Sequence, residues 1–234
     1  HYHHILMDGW CGALLLQQVL QCYQELKNHS GPLYEEINRS TQNTWVRPYR
    51  DYIDWLSEQD QTAAQEYWRE LLQTFTSSTE LPADQLTGLA GENKEQYLEL
   101  KKTLSKDLSQ QLIDYARAQR LTVNTLFQGA WAILLSRYSG NSQVVFGATV
   151  AGRPATLAGV ETMVGLFLNT LPVAVEADGN ALLPEWLHTL QTQCRTSEQY
   201  SYSALTDIQQ WSALPQGASL FESLVIFENY PVSM

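Results

Sequence analysis

The amino-acid sequence predicts a mixed α/β protein that is divided into two lobes. Several stretches repeat apolar residues at the three- and four-residue spacing of an amphipathic helix. Others, such as "VVFGATVAG" and "SLVIFEN", are short apolar runs of the kind found in strands. Residues 76–96 mix Ser, Thr, Pro, Gly and charged side chains without a period. This stretch predicts a linker between a lobe of residues 1–75 and a lobe of residues 97–234.

The first lobe is predicted to contain two helices. One begins behind Gly9 and is stopped by "NHSG", and the other covers residues 49–72, where charged side chains lie opposite an apolar stripe. The apolar positions that define the first helix are Leu15, Leu16, Val19, Leu20, Tyr23 and Leu26.

The second lobe is predicted to begin with a strand and two helices. Residues 98–104 alternate apolar and polar side chains, which is the period of a strand. Ser105 stands where it would cap the helix that follows. A second helix covers residues 123–138 and ends at Gly140.

Two further strands and a helix are predicted beyond Gly140. "VVFGATVAG" has the small and apolar composition of a strand covered on both faces. Pro172 places the strand "FLNTLPVAVE" at an edge or irregular position, because proline has no N–H for a central ladder. Pro184 marks the start of a helix, and "SLVIFEN" supplies the last strand.

The composition excludes several classes of partner. Fourteen Lys and Arg residues against twenty-five Asp and Glu give the 234-residue chain a formal charge of −11. A field of this sign repels nucleic acid and anionic lipid, so neither is expected to bind. No apolar run reaches the length of a membrane span. The three cysteines lack a CxxC pair, which favours reduced thiols and a cytoplasmic location.

The histidine-rich start, "HYHHILMDGW", admits a metal site as one interpretation. His1 and His3 would share one face of an extended strand, a known way to hold zinc, and Asp8 could add an oxygen ligand. A zinc hydrolase built on these three residues therefore stays open as an alternative. His29 and His188 stand elsewhere, in a helix end and a helix, and do not complete the set.

A catalytic base is the second interpretation of the same cluster. On a strand, His3 and His4 would point to opposite faces, and the helix behind Gly9 would direct its free N–H groups towards them. That helix end favours a neutral imidazole, which accepts a proton, and could stabilise developing negative charge. Cys11 is a conceivable nucleophile with His4 as its base, although no orienting partner for the thiol is evident.

Several short motifs of the sequence resemble those of a known family. "HHILMDG", residues 3–9, is similar to the HHxxxDG motif of the condensation domains of nonribosomal peptide synthetases, which belong to the chloramphenicol acetyltransferase-like superfamily. "YRDYIDW" resembles the family's YxDYAxW, and "VGLFLNT" resembles its GxFVNT. "LFESLVIFENYP" resembles the strand near a later family motif, and with it the motifs follow the family's order along the whole chain.

The resemblance implies a two-lobed fold and a reaction. The fold would be that of chloramphenicol acetyltransferase, truncated at both ends, with HHxxxDG at the end of the N-terminal lobe and most of the C-terminal lobe after residue 96. The amine of an aminoacyl thioester would attack the carbonyl of a donor aminoacyl or peptidyl thioester and form a peptide bond. No cofactor would be bound directly, because both substrates arrive on phosphopantetheine arms of carrier proteins. Donor and acceptor peptidyl carrier proteins and an adenylation domain are the implied partners.

The resemblance also assigns roles to residues. His4 would be the base or positioning group, whereas His3 and Asp8 would hold the turn, with Asp8 paired to an arginine that the sequence does not identify. The Gly9 N–H would contact the oxyanion, and Asn169 would line the substrate channel.

Departures from the family pattern keep a second alternative open. Cys11 stands where the family usually has serine, and Ala174 stands where it usually has arginine. The segments that the family carries before HHxxxDG and after "FENYP" are not in this chain, so the 234 residues alone are expected to be inactive. A noncatalytic carrier-protein docking module of the same fold is therefore an alternative function.

Overall fold

A computed structural model describes residues 3–28, 47–79, 98–177, 179–215 and 217–228. These residues divide into two compact units, one drawn from 1–60, 150–169 and 228, the other from 61–149 and 170–227. The predicted linker, residues 76–96, lies mostly outside the described ranges, and the lobe boundary stays a prediction. None of the helices in those ranges has the length and apolar character that a membrane crossing requires.

The first unit holds two α-helices and two short 3₁₀ turns in its described part. Helix α1 is Gly9–Asn28 and helix α2 is Arg50–Ser57, and the 3₁₀ turns are His4–Leu6 and Val160–Thr162. Helix α1 begins behind the histidine cluster, as predicted. Its apolar side chains are largely exposed in the described structure; Leu16, Val19 and Tyr23, for example, are all more than 60% exposed.

The single helix predicted over residues 49–72 is wrong, because the structure breaks it into two. Helix α2 ends where the Glu58 N–H bonds the Trp55 carbonyl at 3.2 Å, an i to i−3 closure that tightens the last turn. The Ser57 hydroxyl also donates to the Asp54 carbonyl at 2.6 Å. A new helix, α3, begins at Gln61 and belongs to the second unit.

Aromatic packing forms the core of the first unit. Tyr52 and Phe167 have ring centroids 4.6 Å apart, and the Tyr49 ring meets Phe167 edge-on at 5.1 Å. The aromatic residues of "YRDYIDW" therefore pack in a core. The buried members of the cluster are Tyr52, Leu157, Val160, Met163 and Phe167.

The second unit mixes helices and strands, as predicted. Its elements are α3 (Gln61–Leu72), α4 (Lys106–Ala118), α5 (Val123–Ser139), β1 (Gln143–Val150), β2 (Asn169–Glu176), α6 (Leu183–Gln199), α7 (Leu205–Trp211) and β3 (Leu224–Val225). Ser105 caps α4 by accepting a hydrogen bond from the Leu108 N–H at 3.2 Å, and Gly140 ends α5 in the left-handed conformation. Both predicted helix limits are therefore confirmed.

Strand β1 lies at the centre of the described sheet, whose order is β2-β1-β3. Pro172 therefore stands at the edge of the sheet that the described residues form, in agreement with its predicted position. Strands β1 and β3 are parallel, with Gly147 opposite Leu224. A Cβ on Gly147 would lie 2.5 Å from Cε2 of the Phe221 ring and 2.9 Å from Cδ1 of Leu224, so these side chains would have to move to accept a larger residue.

The strand predicted over residues 98–104 is wrong. The structure gives these residues no ladder, and Leu98 and Leu100 are 88% and 95% exposed. Alternation marks a strand only where one face is buried and a neighbour takes the backbone hydrogen bonds. Neither condition is met in the described part of the chain.

The core of the second unit lies between the sheet and two helices, α5 and α6. Alternate residues of β1 and β2 point into it, as the strand period requires. Its buried members are Ala132, Leu135, Val144, Phe146, Ala148, Val173, Val175 and Leu190.

Candidate functional site

The histidine cluster forms a turn. The Leu6 N–H donates to the His3 carbonyl at 3.0 Å, and the His3 Nδ1 accepts the Ile5 N–H at 3.2 Å. The predicted strand, with His3 and His4 on opposite faces, is therefore wrong, because local hydrogen bonds close a 3₁₀ turn instead. His1 lies outside the described residues.

The turn separates an exposed histidine from a buried aspartate. His3 and His4 are exposed, and Gly9, the first residue of α1, is exposed as well. Asp8 is 2% exposed. The imidazole of His4 is thus open to solvent, while the carboxylate four residues later lies in the protein interior.

Both carboxylate oxygens of Asp8 are taken up by donors from the chain. Oδ1 accepts the Cys11 N–H at 3.2 Å, and Oδ2 accepts the Phe167 N–H at 3.2 Å. The Asp8 N–H itself donates to the Gly165 carbonyl at 3.3 Å. Asp8 therefore joins the histidine turn to the segment around residue 166, and both belong to the first unit.

Arg153 is the charge partner of Asp8. Its Nη2 lies 3.4 Å from Asp8 Oδ1, and the two side chains are only 8% and 2% exposed. Its Nη1 donates to the carbonyls of Val160 and Met163. These bonds compensate most of a buried charge that would otherwise be costly to hold away from water, and only its buried Nε has no hydrogen-bond partner among the described residues.

Two aromatic rings cover the Arg153 guanidinium. Its Cζ lies 3.9 Å from the centroid of Phe167 and 5.8 Å from that of Trp10, both within the range of a cation–π contact. The Trp10 indole N–H also donates to the Glu161 carbonyl at 3.1 Å. The rings shield the ion pair from water. The attraction between the two charges is stronger in this environment than it would be in water.

The sequence contained a signal for Arg153 that motif reasoning missed. It is the one Lys or Arg between Arg137 and Arg195, and it follows a run of small apolar residues. A lone cation beside a buried strand needs a partner, because an unpaired charge is rarely buried. Ala174, which stands where the family usually has arginine, is 4% exposed within β2.

Cys11 is fully buried beside Asp8, in the first turn of α1. Burial raises the pKa of its thiol, and the adjacent Asp8 carboxylate raises it further. A nucleophilic cysteine needs an accessible thiolate. The geometry therefore argues against the interpretation of Cys11 as a nucleophile activated by His4.

A close approach of two motifs requires glycine at position 165. A Cβ on Gly165 would lie 2.8 Å from Cγ of Tyr49, and the Tyr49 hydroxyl donates to the Leu166 carbonyl at 2.5 Å. The aromatic motif and the "VGLFLNT" motif therefore meet through this glycine. Asn169, three residues beyond Leu166, is half-buried and begins β2.

A metal site needs several ligating side chains in one place. Among the described residues, no three His, Cys, Asp or Glu side chains stand where they could hold one ion. The stronger observation is the hydrogen bonding of Asp8, whose two oxygens face N–H donors, a thiol and a guanidinium. Asp8 is not disposed as a ligand for the alternative zinc site of His1, His3 and Asp8.

Comparison with known proteins identifies the family. The model of the Condensation domain family matches residues 1–234. A linear gramicidin synthase subunit of Brevibacillus parabrevis is 47% identical over 230 residues, and a plipastatin synthase subunit of Bacillus subtilis (strain 168) is 35% identical over 233. These alignments cover 98% and 100% of this chain. They cover only 4% and 9% of the two relatives. The chain belongs to the condensation-domain family.

Solved structures confirm the fold. The first condensation domain of the CDA synthetase superposes with a TM-score of 0.66 at 18% identity, over 96% of this chain and 47% of that one. A four-domain nonribosomal peptide synthetase bound to AMP and glycine gives the same score and identity over 98% of this chain and 17% of that one. The chain therefore has the predicted condensation-domain fold, which is chloramphenicol acetyltransferase-like.

Proposed function

We propose that this chain is part of a condensation domain that forms peptide bonds during nonribosomal peptide synthesis. The observation that carries the proposal is the family match over all 234 residues, which includes the histidine turn. The anchoring of that turn by Asp8 supports it, because a working residue must be held in one geometry.

The proposed reaction needs no enzyme nucleophile. The α-amine of the acceptor aminoacyl thioester attacks the donor thioester carbonyl, a C–N bond forms, and the C–S bond breaks. The amine proton passes by way of a base to the released thiol sulfur. The buried Cys11 thiol agrees with a direct transfer of this kind.

His4 is the proposed base or positioning group. A free α-amine has a pKa of about 8, so an appreciable fraction is unprotonated near neutral pH. The nitrogen becomes positively charged on attack, and accepting that proton is the step in which an imidazole helps, by about 10² to 10⁴. The exposed position of His4 in the 3₁₀ turn lets a substrate reach it.

The remaining residues are proposed to support His4. His3 caps the turn, and Asp8 ties it to the interior with Arg153. The Gly9 N–H, at the start of α1, is proposed to contact the oxyanion, since helix N-termini carry partial positive charge. Asn169 is proposed to line the channel that admits the substrates.

The proposed partners follow from the substrates. Donor and acceptor peptidyl carrier proteins would deliver thioesters on phosphopantetheine arms, and an adenylation domain of the same synthetase would load them. The named relatives are synthase subunits far longer than this chain, which agrees with a module inside a larger enzyme. The cytoplasmic location and the inactivity of the 234 residues alone stay predictions.

The test is a single substitution in the full-length synthetase. His4→Ala should lower the rate of dipeptidyl-carrier formation by about 10² or more, because it removes the proton acceptor. The assay uses both carrier proteins in loaded form and detects the dipeptidyl thioester by mass. Circular dichroism checks that the variant is folded.

His188, in helix α6 of the second unit, offers a matched control. His188→Ala should leave the rate unchanged. A His4→Ala enzyme as fast as the wild type would remove His4 from the mechanism. A wild-type enzyme that binds both loaded carriers and forms no product would instead support the noncatalytic docking alternative.

A further inference from the structure

The Cys11 thiol makes an unusual number of polar contacts for a buried cysteine. Its Sγ lies 3.1 Å from Asp8 Oδ1 and 3.2 Å from the Gly165 carbonyl oxygen. It also accepts the Gly165 N–H at 3.3 Å and lies 3.5 Å from the Arg153 guanidinium. The sulfur therefore lies within hydrogen-bonding distance of both backbone groups of Gly165 and touches both members of the buried ion pair.

We propose that Cys11 is a positioning residue that fixes the histidine turn against the segment leading to Asn169. This inference deepens the proposed function and rests on it for its catalytic consequence. The mechanical part, the attachment of Gly165 to the start of α1, rests on the contacts alone.

The single proton of the thiol limits the sulfur to one donated hydrogen bond. A thiol carries a single S–H, so it donates to either Asp8 or the Gly165 carbonyl and uses its lone pairs for the Gly165 N–H. Burial and the neighbouring carboxylate raise the pKa of Cys11, which keeps that proton in place. The thiol thus acts as donor and acceptor at once.

The attachment extends along the chain in both directions. On one side Cys11 and Asp8 stand directly behind the turn that carries His4. On the other, Gly165 bonds Cys11, and Phe167 bonds the Asp8 carboxylate, two residues before Asn169. Because all these residues belong to the first unit, a shift at the sulfur would change the spacing of His4 and Asn169.

Sulfur suits these distances better than oxygen does. Hydroxyl hydrogen bonds to oxygen acceptors span about 2.5–3.0 Å, whereas the sulfur contacts with Asp8 and Gly165 lie at 3.1–3.3 Å. A serine could keep the bonds by a small local movement. A valine of similar bulk could fill the space but would make none of them, which leaves the Gly165 N–H without this acceptor.

The first measurement is hydrogen exchange in the full-length protein and does not depend on activity. Exchange of the amides in residues 163–169 is followed by mass spectrometry for the wild type, Cys11→Val and Cys11→Ser. The valine variant should exchange at least 10-fold faster in this segment, with helices of the second unit unchanged, and the serine variant should recover most of the protection. Cys22→Ser, which removes another thiol of α1, is the control and should behave as the wild type.

The second measurement is single-turnover transfer with both carriers loaded. Cys11→Val should lower the rate constant at saturating acceptor by about 10-fold, since small misplacements of reacting groups are costly, and should change the half-saturating acceptor concentration by less than 2-fold. Cys11→Ser should recover the rate to within about 3-fold of the wild type. A purely structural defect would instead lower the fraction of active enzyme without this pattern of rescue.

The outcomes separate this inference from the proposed function. Unchanged exchange in Cys11→Val overturns it, whatever the activity. Faster exchange with an unaltered transfer rate also overturns it, because Cys11 would then hold structure without affecting chemistry. If the wild type transfers nothing, the proposed function fails, and the exchange result alone decides whether Cys11 attaches the segment.

Discussion

At the scale of single residues, one buried ion pair organises the first unit. Asp8 and Arg153 are separated by 145 positions in the chain, yet each side chain is at least nine-tenths buried. Asp8 accepts the Phe167 N–H, and Arg153 donates to the Met163 carbonyl. Removing one partner of such a pair leaves an unpaired buried charge, which is more damaging than losing both.

Asp8→Ala should therefore lower the free energy of unfolding by about 3–5 kcal/mol, because Arg153 loses its counter-charge inside the protein. The double variant Asp8→Ala/Arg153→Met should lose less than the sum of the two single variants. Urea unfolding at pH 7 measures all three. The control is Asp54→Ala, which breaks an exposed pair with Arg50 and should cost less than about 1 kcal/mol.

A comparison of the stability of Asp8→Ala with its transfer activity separates a structural role of Asp8 from a chemical one. An Asp8→Ala enzyme that is soluble and as stable as the wild type, but inactive, would make Asp8 a direct participant in the reaction. Strict additivity in the double variant would show that the pair does not interact.

At the scale of elements, helix limits and tight turns follow rules that the sequence displays. Ser105, Thr122 and Gly140 all cap helices in the structure, and each effect acts within a few residues. The strand predicted over residues 98–104 lacks such a local determinant, because a strand needs a neighbour that no local pattern specifies.

The turn after β1 depends on glycine at position 152. Gly152 has a φ of +61°, in the left-handed region, and a Cβ there would lie 2.8 Å from the Phe167 carbonyl carbon. Both features are backbone constraints that a side chain cannot relieve by rotating. The residue that follows is Arg153, so the same turn directs the cation towards Asp8.

Gly152→Ala should therefore destabilise the protein by more than about 1 kcal/mol, because the new methyl group meets backbone in an unfavourable conformation. Thermal unfolding should show a lower midpoint. Gly12→Ala, within α1, is the matched control: a Cβ added at Gly12 would meet nothing within 4 Å, and alanine favours a helix. A neutral Gly152→Ala together with a stabilised Gly12→Ala would show that the turn adapts.

At the scale of the whole molecule, the two units have separate cores, one aromatic and one built on the sheet. The described contacts of the candidate site all lie in the first unit. The chain is a small part of the synthase subunits that it matches, so its substrates and partners have to be tested in the longer protein.

Metal content is a property of the whole chain that distinguishes the zinc hydrolase alternative. The purified protein should contain less than about 0.1 zinc per chain. The reason is that Asp8 is already bonded to N–H donors and to Arg153 and is therefore not free to serve as a zinc ligand. Inductively coupled plasma mass spectrometry measures it. About one zinc per chain, lost in His1→Ala or His3→Ala, would instead support the hydrolase.

The sequence by itself determined the fold class, the family and most helix limits, because periodicity, caps and ordered motifs are readable over short distances. It also predicted a helix directly behind the histidine cluster and a strand that includes Asn169. Only the tertiary structure decided that the histidines form a 3₁₀ turn, that Arg153 pairs with Asp8, and that Cys11 bonds Gly165. The last two pairings join residues more than 140 positions apart, and their energy comes from burial that exists only once the chain has folded.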